Sequence, residues 1–378
     1  MKVLHIITGL YDGGAEASLY RICTARMPET GHVVVSLSGE GKYSALLRRS
    51  GIEVHSLDMP RGRLTLAGLR ELLRLIRRER PDVVQTWMYH ANLAGGLTAR
   101  LAGHRNIVWG IHHTDLAPES TSRGTRLVNR LSALLSRWLP KRIVSCAESA
   151  ARVHAAIGYD REKFVVIPNG YDLRLFYPDP TARLKFRDEM GLGETTPLVG
   201  MIARWDPQKD HDNLLHAMVS VRTKIAAVKC MIVGTGCDSD NKVLIKKIKD
   251  LALEGSVIML GPRSDIPAVM NALDVNVLSS AYGEAFPNAV AEAMACGTPC
   301  VVTDVGDAAL IVGESGWVVP PRNAPALAAA ICDALGQMRD RPAWAARRRA
   351  ARRRIEDNFS LRKVAASYRE VWTGISSP

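Results

Sequence analysis

The sequence predicts two doubly wound α/β domains in tandem, and three observations predict it. Short apolar, β-branched runs alternate with amphipathic stretches from the first residues to about residue 357. The alternation breaks once, over residues 168–196, and then restarts. The length of 378 residues is two domains' worth at roughly 150–200 residues each. A chain that is 47% hydrophobic and 23% charged can bury two cores, which excludes a disordered or fibrous protein.

In the first half, strands are expected at 2–8 (KVLHIIT), 32–37, 52–57, 82–86, 106–111, 142–146 and 163–167. Runs that are apolar on both faces mark buried parallel strands. Helices are expected over 15–27, 42–50, 64–79, 90–101, 123–137 and 148–157. The N-terminal run lacks a small-residue cleavage pattern and reads as a first strand, not as a signal peptide. Residues 168–196 hold Pro168, Asn169, Gly170, Pro178 and Pro180, then charged residues, then Gly191 and Gly193. The boundary is expected there, giving domains at 1–175 and 190–357.

In the second half, strands are expected at 198–203 (LVGMIA), 228–233, 257–260, 273–278 and 299–302. Helices are expected over 209–223, 240–252, 265–271, 288–295, 323–336 and 341–357. The last segment, 360–373, reads as a helix with Val364, Tyr368 and Trp372 on one stripe.

The net charge of +12 is uneven. Residues 1–177 hold 25 basic and 15 acidic side chains (+10), and the remaining residues hold 25 and 23 (+2). An anionic partner is therefore expected at the first domain. Two basic stretches stand out there. Residues 61–80 contain seven arginines beside the stripe Leu66, Leu69, Leu72, Leu73 and Ile76. Residues 123–142 combine Arg123, Arg126, Arg130, Arg137, Lys141 and Arg142 with Leu134, Leu135 and Trp138. Either stretch is a solvated basic face or a contact for an anionic membrane surface. A third run, 347–354, reads as a helix face. Nucleic acid is not expected, because no recognition motif or aromatic platform accompanies the charge. The seven cysteines show no C-x-x-C, so buried thiols in a reducing compartment are expected. The chain has no run of 18 apolar residues.

Ligands of doubly wound sheets bind outside the C-terminal strand ends. With two such domains facing each other, the cleft between them is the expected place. Gly13 and Gly14 follow the first strand and allow close backbone approach. His112 and His113 follow the strand at 106–111, with Asp115 close behind, and no third ligand at metal spacing is apparent. Arg204 and Lys209 follow the strand at 198–203 and together can neutralise a diphosphate. Gly234 and Gly236 form a second close-approach turn or simply a turn. The strongest constellation runs from Glu284 through Phe286, Pro287 and Asn288 to Glu292. Pro287 suits a helix start, leaving amides free for an anion or a sugar hydroxyl. Glu292 lies in an apolar run where an unpaired carboxylate is costly, and the diol of a sugar suits it.

These residues together resemble glycosyltransferase family 4, the retaining group 1 enzymes of the two-domain GT-B class. The resemblance spans essentially the whole chain. It rests on Gly13-Gly14, His112, VIPNGYD at 166–172, Arg204 with Lys209, and Glu284-x7-Glu292 running into AMACGTPCVVTDVG. It implies an N-terminal acceptor domain, with a C-terminal helix at about 358–378 packed back on it, and a C-terminal nucleotide-sugar domain. It assigns His112, Arg204, Lys209 and Glu284 to catalysis. Gly14, Gly234, Phe286, Pro287, Asn288 and Glu292 fall to the donor, and Gly13 and His113 to the acceptor side. Neither a cofactor nor a divalent metal is implied.

The chain departs from the family where Ala285-Phe286-Pro287 replaces the common GFG and where Gly306-Asp307 replaces GG. Both departures bear on which sugar is moved. The expected partners are a nucleotide-sugar donor, probed first as a UDP-sugar, and a lipid-linked or saccharide acceptor. The expected setting is cytoplasmic, with an anionic membrane surface as a candidate contact for the basic domain. A sugar-nucleotide epimerase of the same architecture and a non-catalytic nucleotide-sugar-binding protein remain the alternatives.

Overall fold

The computed structural model describes residues 1–60, 62–114 and 122–376. Arg61, which opens the first basic stretch, and Asp115, beyond the histidine pair, lie outside the described residues. The chain forms two compact units, Met1–Gly170 with Leu361–Pro378, and Tyr171–Ser360.

The first unit runs β1 (Lys2–Ile7), α1 (Gly14–Thr24), β2 (Gly31–Ser36), α2 (Lys42–Arg49), β3 (Glu53–Ser56), α3 (Leu66–Glu79), β4 (Val83–Trp87), α4 (Tyr89–Leu101), β5 (Ile107–Ile111), α5 (Arg123–Leu135), β6 (Arg142–Ser145), α6 (Glu148–Ala156) and β7 (Phe164–Val166). Its strands form one parallel sheet in the order β3-β2-β1-β4-β5-β6-β7. β4 and β5 are buried at every position, as central parallel strands must be, whereas edge strand β7 is buried at none. The register pairs Ile7 with Trp87 and Trp87 with Gly110. The loops after β1, β4 and β5 therefore leave the sheet at the same level.

The second unit runs α7 (Pro180–Glu189), β8 (Leu198–Ile202), α8 (His211–Lys224), β9 (Lys229–Val233), α9 (Lys242–Asp250), β10 (Val257–Gly261), α10 (Ile266–Ala272), β11 (Val275–Leu278), α11 (Asn288–Ala295), β12 (Cys300–Thr303), α12 (Ala308–Val312), β13 (Trp317–Val319), α13 (Ala324–Gln337) and α14 (Arg341–Asn358). Its parallel sheet has the order β10-β9-β8-β11-β12-β13. One core packs α8, α9 and α13 against the sheet, and a second packs Phe186 of α7 and Val269 of α10 against it. Helices thus cover both faces.

The last helix, α15 (Leu361–Ser376), belongs to the first unit. Val364, Tyr368 and Trp372 are buried in that unit's core, and Trp372 Nε1 donates to Gln85 Oε1 at 3.0 Å.

The structure corrects the reading of residues 180–189 as part of an irregular boundary. They form α7, which starts with Asp179 accepting from the Ala182 amide at 2.9 Å and Pro180 in the first turn. Two of its charges, Arg183 and Arg187, are turned into the unit, while Lys185, Asp188 and Glu189 are exposed. Arg187, 1% exposed, donates to the Ala272 carbonyl at 2.7 Å, and Arg183 reaches Asp274 at 2.6 Å. These guanidinium groups satisfy the orphan carbonyls at the end of α10. The short elements α12 and β13 also escaped the pattern. In α3, Leu75 joins the buried stripe and Leu66 is exposed.

The arginine run at 347–354 has the same structural use. Arg348 donates to the Gly297 carbonyl, Arg352 to those of Phe176 and Ala295, and Arg354 to that of Ile311. Arg347 stacks on Trp317 at 4.4 Å. Most of this charge cluster is spent on helix ends within its own unit.

Candidate active site

The strand order in the second unit reverses between β8 and β11. Chains leaving two adjacent strands in opposite directions open a crevice, which is where α/β sheets bind ligands. The loop after β8 carries Arg204 and Lys209, and the loop after β11 carries Glu284.

Hydrogen bonds tie these loops together. Ser279 Oγ lies 2.9 Å from the Lys209 carbonyl and 3.0 Å from that of Asp210. The Ala281 amide donates to the Gln208 carbonyl at 2.8 Å. Asp210 is held in the left-handed region (φ 50°) and caps α8 through the Asn213 amide. Lys209 Nζ meets Glu284 Oε1 at 2.5 Å, and Ser280 Oγ donates to the same oxygen at 2.6 Å. Both side chains are largely buried, so the pair is shielded from solvent. Arg204 is more open and pairs with Asp206 at 3.0 Å. The structure thus brings Lys209 to Glu284, and Arg204 to Asp206.

Glycines shape the loops. Gly306 (φ 63°) lies where a Cβ would fall 2.2 Å from the Glu284 carbonyl oxygen, so the loop after β12 backs the Glu284 loop directly. At Gly234 (φ 150°) a Cβ would fall 2.2 Å from the Ala203 carbonyl oxygen. The close approach there is to the chain's own backbone, beside Arg204.

Pro287 is the N-cap of α11, one residue earlier than a first-turn proline, and no side chain caps this helix. Phe286 is buried, stacked on Tyr171 (6.5 Å between centroids) and edge-on to Phe359 (5.3 Å). Its ring therefore anchors the loop. Asn288 Oδ1 accepts from the Tyr171 hydroxyl at 2.6 Å. Most of α11 is buried, and Asn288, Ala289 and Glu292 form its partly open face. Glu292 thus emerges on the side that carries the helix's first amides.

In the first unit the strand order reverses between β1 and β4. Gly13 is the N-cap of α1 and Gly14 its first residue, with no side-chain cap from position 13. Glu16 folds back over this turn, with Oε2 2.4 Å from where a Cβ on Gly13 would stand. Burial raises the Glu16 carboxyl above its ordinary value, and the nearby Asp12 charge adds to the effect. Glu16, Thr8, Ser38, Met59 and His90 line a cavity of about 250 Å³ at this end of the sheet.

His112 follows β5 and stacks on Trp87 at 4.9 Å. Both its ring nitrogens are buried and have no hydrogen-bond partner among the described residues. Burial pushes its pKa down to about 4, so the ring is neutral at pH 7. His113 is half-buried and lies close enough to His154 to add to the lowering that burial imposes on that ring.

Two groups of side chains among the described residues have metal-ligand spacing, His5 with Cys23 and His32, and Glu53 with His55 and Glu79. Neither includes a residue of the candidate site.

Sequence reasoning missed Glu16 and the two serine hydroxyls. An acid in a helix's first turn looks like an ordinary dipole partner, and the cavity is assembled from loops far apart in sequence. Ser279 and Ser280 directly after a strand were the available signal.

The comparisons with known proteins bear on this geometry. A profile described as Glycosyltransferase Family 4 matches residues 12–175, and one described as Glycosyl transferases group 1 matches residues 196–337. The chain belongs to glycosyltransferase family 4. It is 29% identical over 260 residues to the UDP-Gal:alpha-D-GlcNAc-diphosphoundecaprenol alpha-1,3-galactosyltransferase of Escherichia coli, covering 66% of this chain and 65% of that one. It is 28% identical over 358 residues to the GDP-mannose-dependent alpha-(1-6)-phosphatidylinositol monomannoside mannosyltransferase of Mycolicibacterium smegmatis, covering 89% and 88%. Anabaena HepE in complex with UDP superposes with a TM-score of 0.86 at 23% identity, over 99% of this chain and 100% of that one. HepE with UDP-glucose gives 0.84 at 24%, over 99% and 100%. The family 4 chain therefore has the fold of the GT-B class, two Rossmann-like domains, and its activity is glycosyl transfer.

Proposed function

We propose that this glycosyltransferase is retaining and metal-independent. It moves a hexosyl or N-acetylhexosaminyl unit from a UDP-sugar to a hydroxyl of a lipid-linked or polysaccharide acceptor. The observation that carries the reading is the Lys209–Glu284–Ser280 cluster at the strand-order reversal of the second unit. The UDP complexes of HepE and the UDP-Gal donor of the Escherichia coli relative support the choice of nucleotide. The diphosphoundecaprenol acceptor of that relative supports a lipid-linked one.

In this reading Lys209 and Arg204 meet the donor diphosphate, Lys209 exchanging Glu284 for phosphate. Glu292 accepts from the ribose hydroxyls, and the amides opening α11 face the β-phosphate or the sugar. Gly14 and Gly234 keep backbone turns open near the donor, while Gly13 and His113 lie toward the acceptor. As the bond from the anomeric carbon to the β-phosphate oxygen breaks, negative charge grows on the leaving diphosphate. Lys209, Arg204 and the α11 amides stabilise that charge more than the ground state, which is the source of rate. Glu284, relieved of Lys209, accepts from hydroxyls of the transferred sugar. Neutral His112 offers one nitrogen as donor to the same sugar. The acceptor hydroxyl attacks on the face the phosphate leaves and passes its proton to the departing phosphate oxygen, so configuration is retained without a protein nucleophile. The reaction differs from retaining hydrolysis, where a carboxylate attacks.

An anionic membrane surface is the further partner of the first unit. Leu127, Leu131, Leu134 and Trp138 of α5 and the turn after it are exposed together, Leu134 by 65% and Trp138 by 67%. Arg123, Arg130 and Arg137 flank them, also exposed, while Leu135 is half-buried. Apolar side chains ringed by cations suit a headgroup boundary. Among the described residues no helix is long and apolar enough to cross a membrane.

The test is a donor screen for UDP release, with and without a lipid-linked acceptor extract, in buffer containing a chelator. Acceptor-dependent release and an α-linked product from an α-linked donor are expected. Wild-type kinetics in both Lys209→Ala and Glu292→Gln would remove the proposed donor site.

A further inference from the structure

We infer that the cavity of the first unit receives the neutral sugar ring of the acceptor, and that Glu16 selects that ring against a phosphorylated one. The inference rests on the acceptor role proposed for this unit and names the chemistry of the site.

The cavity lies at the C-terminal ends of β1 to β4, where the strand order reverses. Its volume of about 250 Å³ falls below the roughly 300 Å³ at which pockets for drug-sized ligands begin, and it suits a single ring. The uncapped start of α1 opens beside it. A helix start of this kind ordinarily attracts a phosphate. Here Glu16 occupies that place, its carboxylate folded over Gly13. A second anion would meet a like charge in a half-buried setting, where screening by water is weak and the repulsion is correspondingly strong. Among the described residues the one cation in the lining, Arg63, is exposed at the rim, and nearby Lys42 is paired with Asp12 at 2.9 Å.

The remaining polar lining suits hydroxyl groups. Thr8 Oγ1 is buried and has no hydrogen-bond partner among the described residues. A buried hydroxyl left in this way is destabilising until a ligand satisfies it. His90 is half-buried and its pKa is lowered by burial, so its ring offers one donor and one acceptor without charge. The carboxylate of Glu16 can accept from two adjacent hydroxyls. Tyr11 and Met59 supply apolar surface for the ring's carbon face.

The test uses saturation-transfer NMR on the full chain with glucose, galactose and N-acetylglucosamine, and with glucose 6-phosphate. UDP binding is measured in parallel by calorimetry. At least one neutral sugar should show transfer in the wild type, and glucose 6-phosphate should show little. Glu16→Ala should weaken the neutral sugar by about tenfold or more while UDP affinity stays unchanged. Glu16→Gln keeps the shape and removes the charge, so glucose 6-phosphate should gain. The inference is overturned if glucose 6-phosphate binds the wild type as well as any neutral sugar. It is equally overturned if no neutral sugar binds, or if Glu16→Ala binds as the wild type does. Failure of UDP to bind would instead strike the donor reading and leave the sugar result to decide this one.

Discussion

Both units lay down their first four strands in the same 3-2-1-4 order, yet they furnish the reversal point differently. In the second unit the site groups are already bonded to one another. Lys209 holds Glu284, Ser280 holds the same carboxylate, and Ser279 pins the lysine's backbone. In the first unit the reversal point leaves a cavity, an unsatisfied Thr8 hydroxyl and, after the next strand, a neutral His112 with two unsatisfied nitrogens. The contrast is between a site whose charged groups are already bonded to one another and one whose buried polar groups Thr8 and His112 have no hydrogen-bond partner among the described residues. A diphosphate needs cations held in place before it arrives. A neutral sugar needs hydrogen-bond partners that water has not already taken.

The largest expected effect tests the charged side. Lys209→Ala removes the cation proposed to meet the leaving phosphate and takes away the lysine that pairs with buried Glu284. Turnover should fall by about 10²–10³, the usual scale for one lost transition-state contact. Steady-state UDP release measures it, and a variant that turns over like the wild type breaks the comparison.

Acid should separate the units next. His32, His112 and His154 of the first unit have their pKa values lowered to about 4 by burial, and burial with the neighbouring His32 charge holds His5 well below its ordinary value. In the second unit His211 is lowered to about 4. The unfolded chain takes up protons below about 6.5, while these folded rings do not. Their contribution is therefore intact above that value and is lost as pH falls from about 6.5 toward 4, by up to roughly 3 kcal/mol for each ring. Hydrogen exchange at pH 7.5 and pH 5 should show the first unit losing protection before the second. The reverse order would show that the imidazoles are not what distinguishes the two cores.

Much of this was legible in the sequence, and particular residues show why the rest was not. Strand positions were readable because central parallel strands are apolar on both faces; Val83–Trp87 and Ile107–Ile111 are buried throughout. Residues 180–189 misled because Arg183 and Arg187 look solvated in sequence, whereas in three dimensions they satisfy carbonyls at the end of α10. Arg204, Lys209, Glu284 and Glu292 could be named from spacing. That Lys209 would meet Glu284 depends on how two loops close over adjacent strands, and spacing holds no record of that, whereas Arg204 and Asp206 pair within one loop. Glu16 was invisible for a related reason, since the cavity it lines is assembled from the segments that follow β1, β2, β3 and β4.

Two glycines offer a smaller and more local test. Gly306 backs the Glu284 carbonyl, and in the first unit Gly41 backs Leu10, where a Cβ would fall 2.4 Å from the carbonyl oxygen. Gly306 also has φ 63°, which an L-residue adopts only at a cost of about 1 kcal/mol. Gly306→Ala should displace the Glu284 loop and lower kcat. Gly41→Ala should press on the Leu10–Tyr11 side of the cavity and raise the acceptor KM, with UDP affinity preserved. Identical kinetic signatures for the two variants would mean that the two sites are not separately organised.

The smallest effect concerns the arginines of the two units. In α14 the guanidinium groups of Arg348, Arg352 and Arg354 are engaged with carbonyls, whereas Arg123, Arg130 and Arg137 on and after α5 are exposed beside Leu131, Leu134 and Trp138. The second set adjoins an exposed apolar stripe, so it is the set expected to hold an anionic bilayer, at about 1 kcal/mol for each cation near the surface. Flotation with phosphatidylserine vesicles should show binding that Leu134→Ser with Trp138→Ser reduces several-fold. Replacing exposed Arg349 and Arg353 of α14 by Gln should leave it unchanged. Added salt should weaken the arginine share, because screening shortens its range to about 8 Å at physiological ionic strength, and spare the apolar share. Binding that is abolished by salt, yet indifferent to Leu134 and Trp138, would mean that charge alone holds the surface and that the exposed stripe of α5 has another use.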